Sequence, residues 1–129
     1  MGKRKRERAD ALKADRKERF QAALNNVPTS PRKMRLVADL VRGMDVSKAL
    51  FVLKLHPKHA SNRLEKLLLS AIANYTGKTG EQNTDGLYVK EIMVDGGRTL
   101  RRLQTAPQGR GYRLRKRSNH VALELAVRN

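Results

Sequence analysis

Residues 95–119 read DGGRTLRRLQTAPQGRGYRLRKRSN, and how that stretch is read decides the fold. Strand-like segments flank it. Leu87 to Val94 is apolar or β-branched at most positions, and from Asn119 to Asn129 Val121, Leu123, Leu125 and Val127 alternate with Ala122, Glu124, Ala126 and Arg128. The roughly 24 residues between them have too few apolar side chains to pack on a body, and a structureless loop of that length is out of place in a small domain. An extended β-hairpin over about 96–118 resolves the conflict. Arg113, Arg115 and Arg117 alternate with Leu114, Lys116 and Ser118, so three guanidinium groups would project from one side of a strand. With about 12 residues per arm the hairpin would reach roughly 40 Å, at about 3.3 Å per residue.

Charge singles out the same region. The 129 residues carry 29 Lys and Arg against 12 Asp and Glu, a net +17, so the chain repels itself and calls for an anionic partner. From Gly96 to Leu123 there are eight basic residues (Arg98, Arg101, Arg102, Arg110, Arg113, Arg115, Lys116, Arg117) and no acid, whereas residues 61–95 are nearly neutral. The main anionic contact is therefore expected on the hairpin. Arginine outnumbers lysine there, which suits bidentate grips on phosphate and stacking on exposed bases. Aromatic residues make up only 4% of the chain, which argues against a base-stacking RNA-recognition or single-strand module. A folded RNA is the leading partner, DNA architectural binding is the main competitor, and a basic membrane-surface protein is weaker, because no helix pairs a basic face with Trp or Phe.

Upstream lies the body. Ser30-Pro31 reads as a helix N-cap with proline at the first helical position, Met34, Val37, Ala38 and Val41 recur at helical spacing, and Gly43 closes a helix over about 31–42. Its other face presents Arg32, Lys33, Arg35 and Arg42 as candidate phosphate contacts. Asp45 can cap a second helix to about Leu55, with Val46, Ala49, Leu50 and Leu53 on one face. Pro57 opens a third, in which Ala60, Leu64, Leu67, Leu68, Ala71, Ile72 and Tyr75 keep the strongest period in the chain. Residues 76–86 read as a loop, and 20–27 as a short strand. Residues 1 to about 18 are rich in helix formers but have almost no apolar stripe, so they read as a solvated basic tail. The expected fold is α/β of the α+β kind: three helices on a small antiparallel sheet, with a basic N-terminal extension over 1–19 and a single domain over 20–129.

Chemistry is scarce. With no Cys, disulfides, thiolate catalysis and Cys-based zinc sites are excluded. His56-Pro57-Lys58-His59 has a metal-like spacing but no nearby Asp or Glu, so no metal is expected. Asp95-Gly96-Gly97 and Gly109-Arg110-Gly111 lack the Lys-Ser/Thr or the following helix of a nucleotide loop and read as turns. No nucleophile, base and orienting acid can be assembled, and no cofactor is expected. The sequence has neither a run of some 18 apolar residues nor a secretory signal, which leads us to expect a cytosol-like compartment and no membrane partner.

Four motifs then stand in order: Ser30 to Gly43 (SPRKMRLVADLVRG), Leu69 to Asn74 (LSAIAN), Val94 to Gly97 (VDGG) and Lys116 to Val121 (KRSNHV). Over about residues 20–127 the chain resembles the bacterial large-subunit ribosomal protein L-twenty-two family. The resemblance implies a structural protein of the cytoplasmic 50S subunit with no catalytic activity, packed on 23S ribosomal RNA beside neighbouring large-subunit proteins and not forming a homo-oligomer. It also implies a hairpin that lines the exit tunnel and meets the nascent peptide. Together with the charge pattern, this makes Arg32, Lys33, Arg35, Arg42, Arg98, Arg113, Arg115, Lys116, Arg117 and His120 the expected rRNA contacts. The tunnel tip would run through Arg101, Arg102, Leu103, Gln104, Thr105, Ala106, Pro107, Gln108, Gly109 and Arg110. The tip departs from the family pattern, because Ala106 and Gln108 stand where cations are common, so contacts of those cations do not carry over.

Overall fold

The computed structural model describes residues 2–128. In chain order the elements are α1 (Lys3–Glu18), β1 (Phe20–Val27), α2 (Pro31–Val41), α3 (Val46–Leu55), α4 (His59–Thr79), β2 (Leu87–Gly96), β3 (Leu100–Thr105), a one-turn 3-10 helix (Pro107–Gly109), β4 (Gly111–Lys116) and β5 (Asn119–Val127). The fold is α+β, with four helices rather than the expected three. One antiparallel sheet has the order β1-β5-β2, and β3 and β4 form a second, two-stranded sheet.

The periodicity of the helices translates directly into burial. Met34, Val37, Ala38 and Val41 of α2, Val46, Ala49 and Leu53 of α3, and Leu64, Leu67, Leu68, Ala71 and Tyr75 of α4 are all buried. They pack against Val89, Ile92 and Val94 of β2 and Val121, Leu123 and Leu125 of β5 in one apolar cluster. Each large aliphatic side chain buried this way contributes about 1.5–3 kcal/mol. Ser30 and Asp45 occupy N-cap positions, but neither side chain makes a capping hydrogen bond. Asp45 instead pairs with Lys48 and Arg128.

Three boundaries differ from the sequence reading. The N-terminal extension is a helix, not an irregular tail. It buries none of its residues; Ala, Lys, Arg and Glu are good helix formers, and its C-terminal end is tied down from outside. The Lys78 ammonium donates to the backbone carbonyls of Lys17 and Arg19, and Arg19 pairs with Asp15 at 2.6 Å. Next, α4 begins at His59, two residues after Pro57, and runs on through Gly77 to Thr79. It ends where Gly80 takes the left-handed conformation (φ 75°) that a side chain would strain. Finally, the strand expected to stop at Val94 continues to Gly96.

The outer edge of β2 is not left open. Gly43 donates its N–H to the Val89 carbonyl and the Val89 N–H donates to the Met44 carbonyl, so the α2–α3 turn adds two backbone bonds. Two α2 arginines extend the cover: Arg35 donates through Nε and a terminal nitrogen to the Val94 carbonyl, and Arg42 donates to that of Ile92. An edge with its carbonyls occupied is a poor template for strand addition.

Candidate nucleic-acid interface

The hairpin grows out of the central sheet. Pairing of β2 with β5 continues to Gly96 opposite Asn119, and Gly97 donates its N–H to the Ser118 carbonyl at 2.8 Å. After a break, β3 and β4 pair from Leu100 opposite Lys116 to Thr105 opposite Gly111. Six paired residues per arm make it shorter than the expected 12. All of β3 is exposed, and in β4 only Leu114 is partly covered, so the arm stands clear of the body. At the tip Ala106 donates to the Arg110 carbonyl, and both Gln108 and Gly109 have positive φ.

Register sorts the hairpin side chains onto two faces, because residues directly opposite each other share a face. One carries Arg101 opposite Arg115 and Leu103 opposite Arg113; the other carries Leu100 opposite Lys116, Arg102 opposite Leu114 and Gln104 opposite Tyr112. Arg101, Arg113, Leu114 and Arg115 line a cavity of about 310 Å³. No ion pair among the described residues involves any hairpin cation.

The hairpin root is tightly built. A Cβ at Gly97 would lie 2.5 Å from Ser118 Oγ and 3.1 Å from His120 Nε2. Ser118 Oγ donates to the Arg98 carbonyl at 2.6 Å, and His120 Nδ1 accepts the Asn26 N–H at 3.1 Å. That acceptor role leaves the imidazole proton on Nε2. Asn26 itself has φ 55°, at the irregularity where β1 shifts register against β5. Asn119 is fully buried and donates to both the carbonyl and the hydroxyl of Thr29.

Beside the root, Ser30, Pro31, Arg32, Arg35, Gly96 and Arg117 enclose a cleft of about 520 Å³. The fold thus brings Arg32 and Arg35 of α2 to Arg117 of the hairpin. Lys33 and Arg42 do not line this cleft. Arg42 is held by Asp39 at 2.7 Å as well as by the Ile92 carbonyl. Arg98, Arg110 and Lys116 are exposed along the arm.

A polar cluster on the free face of the sheet escaped the sequence reading. Glu124, 7% exposed in central strand β5, accepts from Lys90 at 2.7 Å and Gln21 at 2.9 Å and lies 3.6 Å from Arg19. Burial pushes its carboxyl pKa up, but hydrogen bonds from Lys90 and Gln21 and the charges of Lys90 and Arg19 outweigh it, leaving the group below its usual range. The one available signal was an acid between Leu123 and Leu125 in a strand with a buried face. Among the described residues no three His, Cys, Asp or Glu approach closely enough to hold a metal ion, and no helix is long and apolar enough to cross a membrane.

A small α+β body bearing an exposed, acid-free arginine hairpin, with no assembled nucleophile or metal centre among the described residues, is the build of a structural nucleic-acid-binding protein. Residues 22–126 match the family Ribosomal protein L22p/L17e, and the chain belongs to that family. It is similar along its whole length to proteins named Large ribosomal subunit protein uL22. That of Christiangramia forsetii is 61% identical, covering 100% of this chain and 97% of the relative. The Porphyromonas gingivalis protein is 56% identical over the same shares, and that of Bacteroides thetaiotaomicron is 55% identical over 100% and 96%. Because the matches reach the N-terminus, α1 lies within the region these proteins have in common with the chain.

Proposed function

We infer that the chain is a structural constituent of the large ribosomal subunit, in the bacterial cytoplasm, where its partners are ribosomal RNA and other ribosomal proteins. It is not an enzyme. On this reading the RNA is 23S rRNA, the body supports assembly by packing on it, and the hairpin lines the exit tunnel and meets the nascent peptide. The observation that carries the reading is the hairpin itself, an exposed arm whose cations make no ion pair among the described residues and whose segment contains no acid. Such an arm is unstable against self-repulsion until phosphate neutralises it.

The cleft formed by Arg32, Arg35 and Arg117 is the proposed body contact, with Lys33 and Arg98 beside it and His120 at the root. Arg35 and Arg42 have a double role on this reading: each spends some of its donors on β2 carbonyls and offers the rest outward, since a guanidinium has five. Arg113, Arg115 and Lys116 track RNA along the arm, and residues 101–110 form the tunnel tip. The N-terminal extension, 1–19, is an accessory basic arm on a single domain, 20–129.

The test is cosedimentation of the protein with large subunits through high salt. A built-in constituent stays, whereas a binder held only by backbone phosphates washes off as counterion release weakens. Loss of the protein from salt-washed particles would overturn the assignment.

A further inference from the structure

We propose that α1 is a second nucleic-acid arm: a preformed helix that lays the face bearing Lys5, Arg8 and Arg16 on rRNA phosphate, at the end of the body opposite the hairpin root. The proposal rests on the ribosomal reading above and adds to it a contact site in the N-terminal extension.

The helix sorts its charges although it buries none of its residues. At about 100° per residue, Lys5, Arg8, Leu12 and Arg16 fall on one face, spaced three and four apart. Glu7, Asp10 and Glu18 fall on the other side, together with Lys3, Arg4 and Lys17. Asp15 stands at the border, its carboxylate held by Arg19 at 2.6 Å. Among the described residues no ion pair involves Lys5, Arg8 or Arg16. Arg8 has like-charge neighbours three and four residues back, Lys5 and Arg4, which weaken an isolated helix. A row of anions along that face reverses the sign of the interaction. Leu12 is the one apolar side chain in α1 larger than alanine, whereas a protein partner would need an apolar or aromatic centre to pack on. Phosphate asks only for cations.

The joint between α1 and the body separates this helix from a solvated tail. Lys78 donates to the carbonyls of Lys17 and Arg19, at the end of the helix where a cation suits the dipole. Its ammonium also lies 5.8 Å above the Phe20 ring, which meets Tyr75 edge-on at 4.8 Å. Arg19 reaches Glu124, the buried carboxylate of β5, at 3.6 Å. These contacts fix the direction in which α1 leaves β1, and a helix already formed and aimed loses less entropy when it binds. Register gives the location. Phe20 stands opposite Leu125 and Val27 opposite Asn119, the residue at the hairpin root, so about 20 Å of strand separates the two exits. The phosphates under α1 are therefore a different stretch of backbone from those under the hairpin.

Leu12 and Ala14 lie on opposite sides of α1, which gives a direct test. A photoreactive phenylalanine analogue replaces either residue in the full chain, large subunits carrying the variant are purified and irradiated, and the cross-linked partner is identified. The expected result is 23S rRNA from position 12 and little or none from position 14. Equal RNA cross-linking from both positions overturns the face assignment, a protein as the main partner of position 12 overturns the choice of partner, and no RNA from either position overturns the arm. In each of these outcomes the protein has been recovered in the particle, so the reading as a ribosomal constituent stands.

Salt dependence supplies a second readout that needs no assembled particle, using the full chain and a 23S rRNA transcript. K5Q/R8Q/R16Q keeps good helix formers and should flatten the log–log slope by about 2.1–2.7, the loss of three phosphate contacts at about 0.7–0.9 each. K3Q/R4Q/K17Q removes the same charge from the other side and should leave the slope unchanged. Equal flattening by the two triples, or none by the first, contradicts the proposal. Failure of the unsubstituted chain to bind the transcript would overturn the ribosomal reading and the proposal with it.

Discussion

Gly97→Ala probes the hairpin root. The added methyl would sit 2.5 Å from Ser118 Oγ, 3.1 Å from His120 Nε2 and 3.3 Å from the Ser118 carbonyl carbon. The hydroxyl must move, and when it does its 2.6 Å bond to the Arg98 carbonyl is lost. A net hydrogen bond contributes about 0.5–1.5 kcal/mol, and overpacking adds to that, so the whole cost is about 1–3 kcal/mol. A domain of this size holds roughly 5–15 kcal/mol, so the body stays folded. What changes is the direction of the arm. Gly97 to Thr105 spans about 26 Å of strand, and a tilt of about 10° at the root therefore carries the tip roughly 5 Å sideways. The assay pairs a thermal melt with rRNA footprinting of particles containing the variant. The expected result is a melting temperature lower by several degrees, normal incorporation and displaced contacts at the tip. G97A/S118A removes the clashing oxygen and should recover part of the loss, a non-additive cycle. A wild-type melt with unchanged tip contacts, or no recovery in the double variant, would show that packing at Gly97 does not set the direction of the arm.

Three further outcomes are expected. Because the folded pKa of Glu124 lies below its unfolded value, its contribution to stability is fully present above the ordinary carboxylate pKa and fades as pH falls through the lowered one; Glu124→Gln should cost about 1–2 kcal/mol near neutrality and flatten that acid limb of the stability–pH curve. Deleting Leu103 to Gln108 removes no Lys or Arg and no core residue, so folding and incorporation should persist while stalling at arrest peptides and macrolide sensitivity change; wild-type stalling and sensitivity at normal stoichiometry would count against tunnel lining. In the free protein, hydrogen exchange should be fast for the amides of β3 and β4, whose only ladder is each other, and slow from Leu64 to Ile72; strong protection of the hairpin without RNA would contradict this.

How much of this was legible in the sequence depended on whether one physical signal dominated. The period running from Ala60 to Tyr75 marked α4 and its share of the core, because burial of a helix stripe leaves a direct trace in spacing. The hairpin was legible by elimination, since a long polar stretch between two strands has few other solutions. Its arms came out shorter because the ladder breaks at Arg98-Thr99 and Arg117-Ser118, where no side-chain pattern signals a break. The α1 helix was missed because propensity and end contacts hold it rather than an apolar stripe, and the end contacts come from Lys78, some sixty residues away in sequence. The bonds from Arg35 and Arg42 to β2 carbonyls were equally invisible. A basic residue on the outer face of a helix reads as solvated or anion-binding until the neighbouring strand edge is in place.

On the proposed function this family member is built into the large subunit with its hairpin in the wall of the exit tunnel. A cryo-electron microscopy map of salt-washed large subunits from the source bacterium tests it most directly. The expected map has the body on rRNA, the arm from Leu100 to Lys116 in the tunnel wall, and Arg113 and Arg115 against phosphate. A particle lacking the protein, or one with the hairpin lying on the outer surface away from the tunnel, would contradict it.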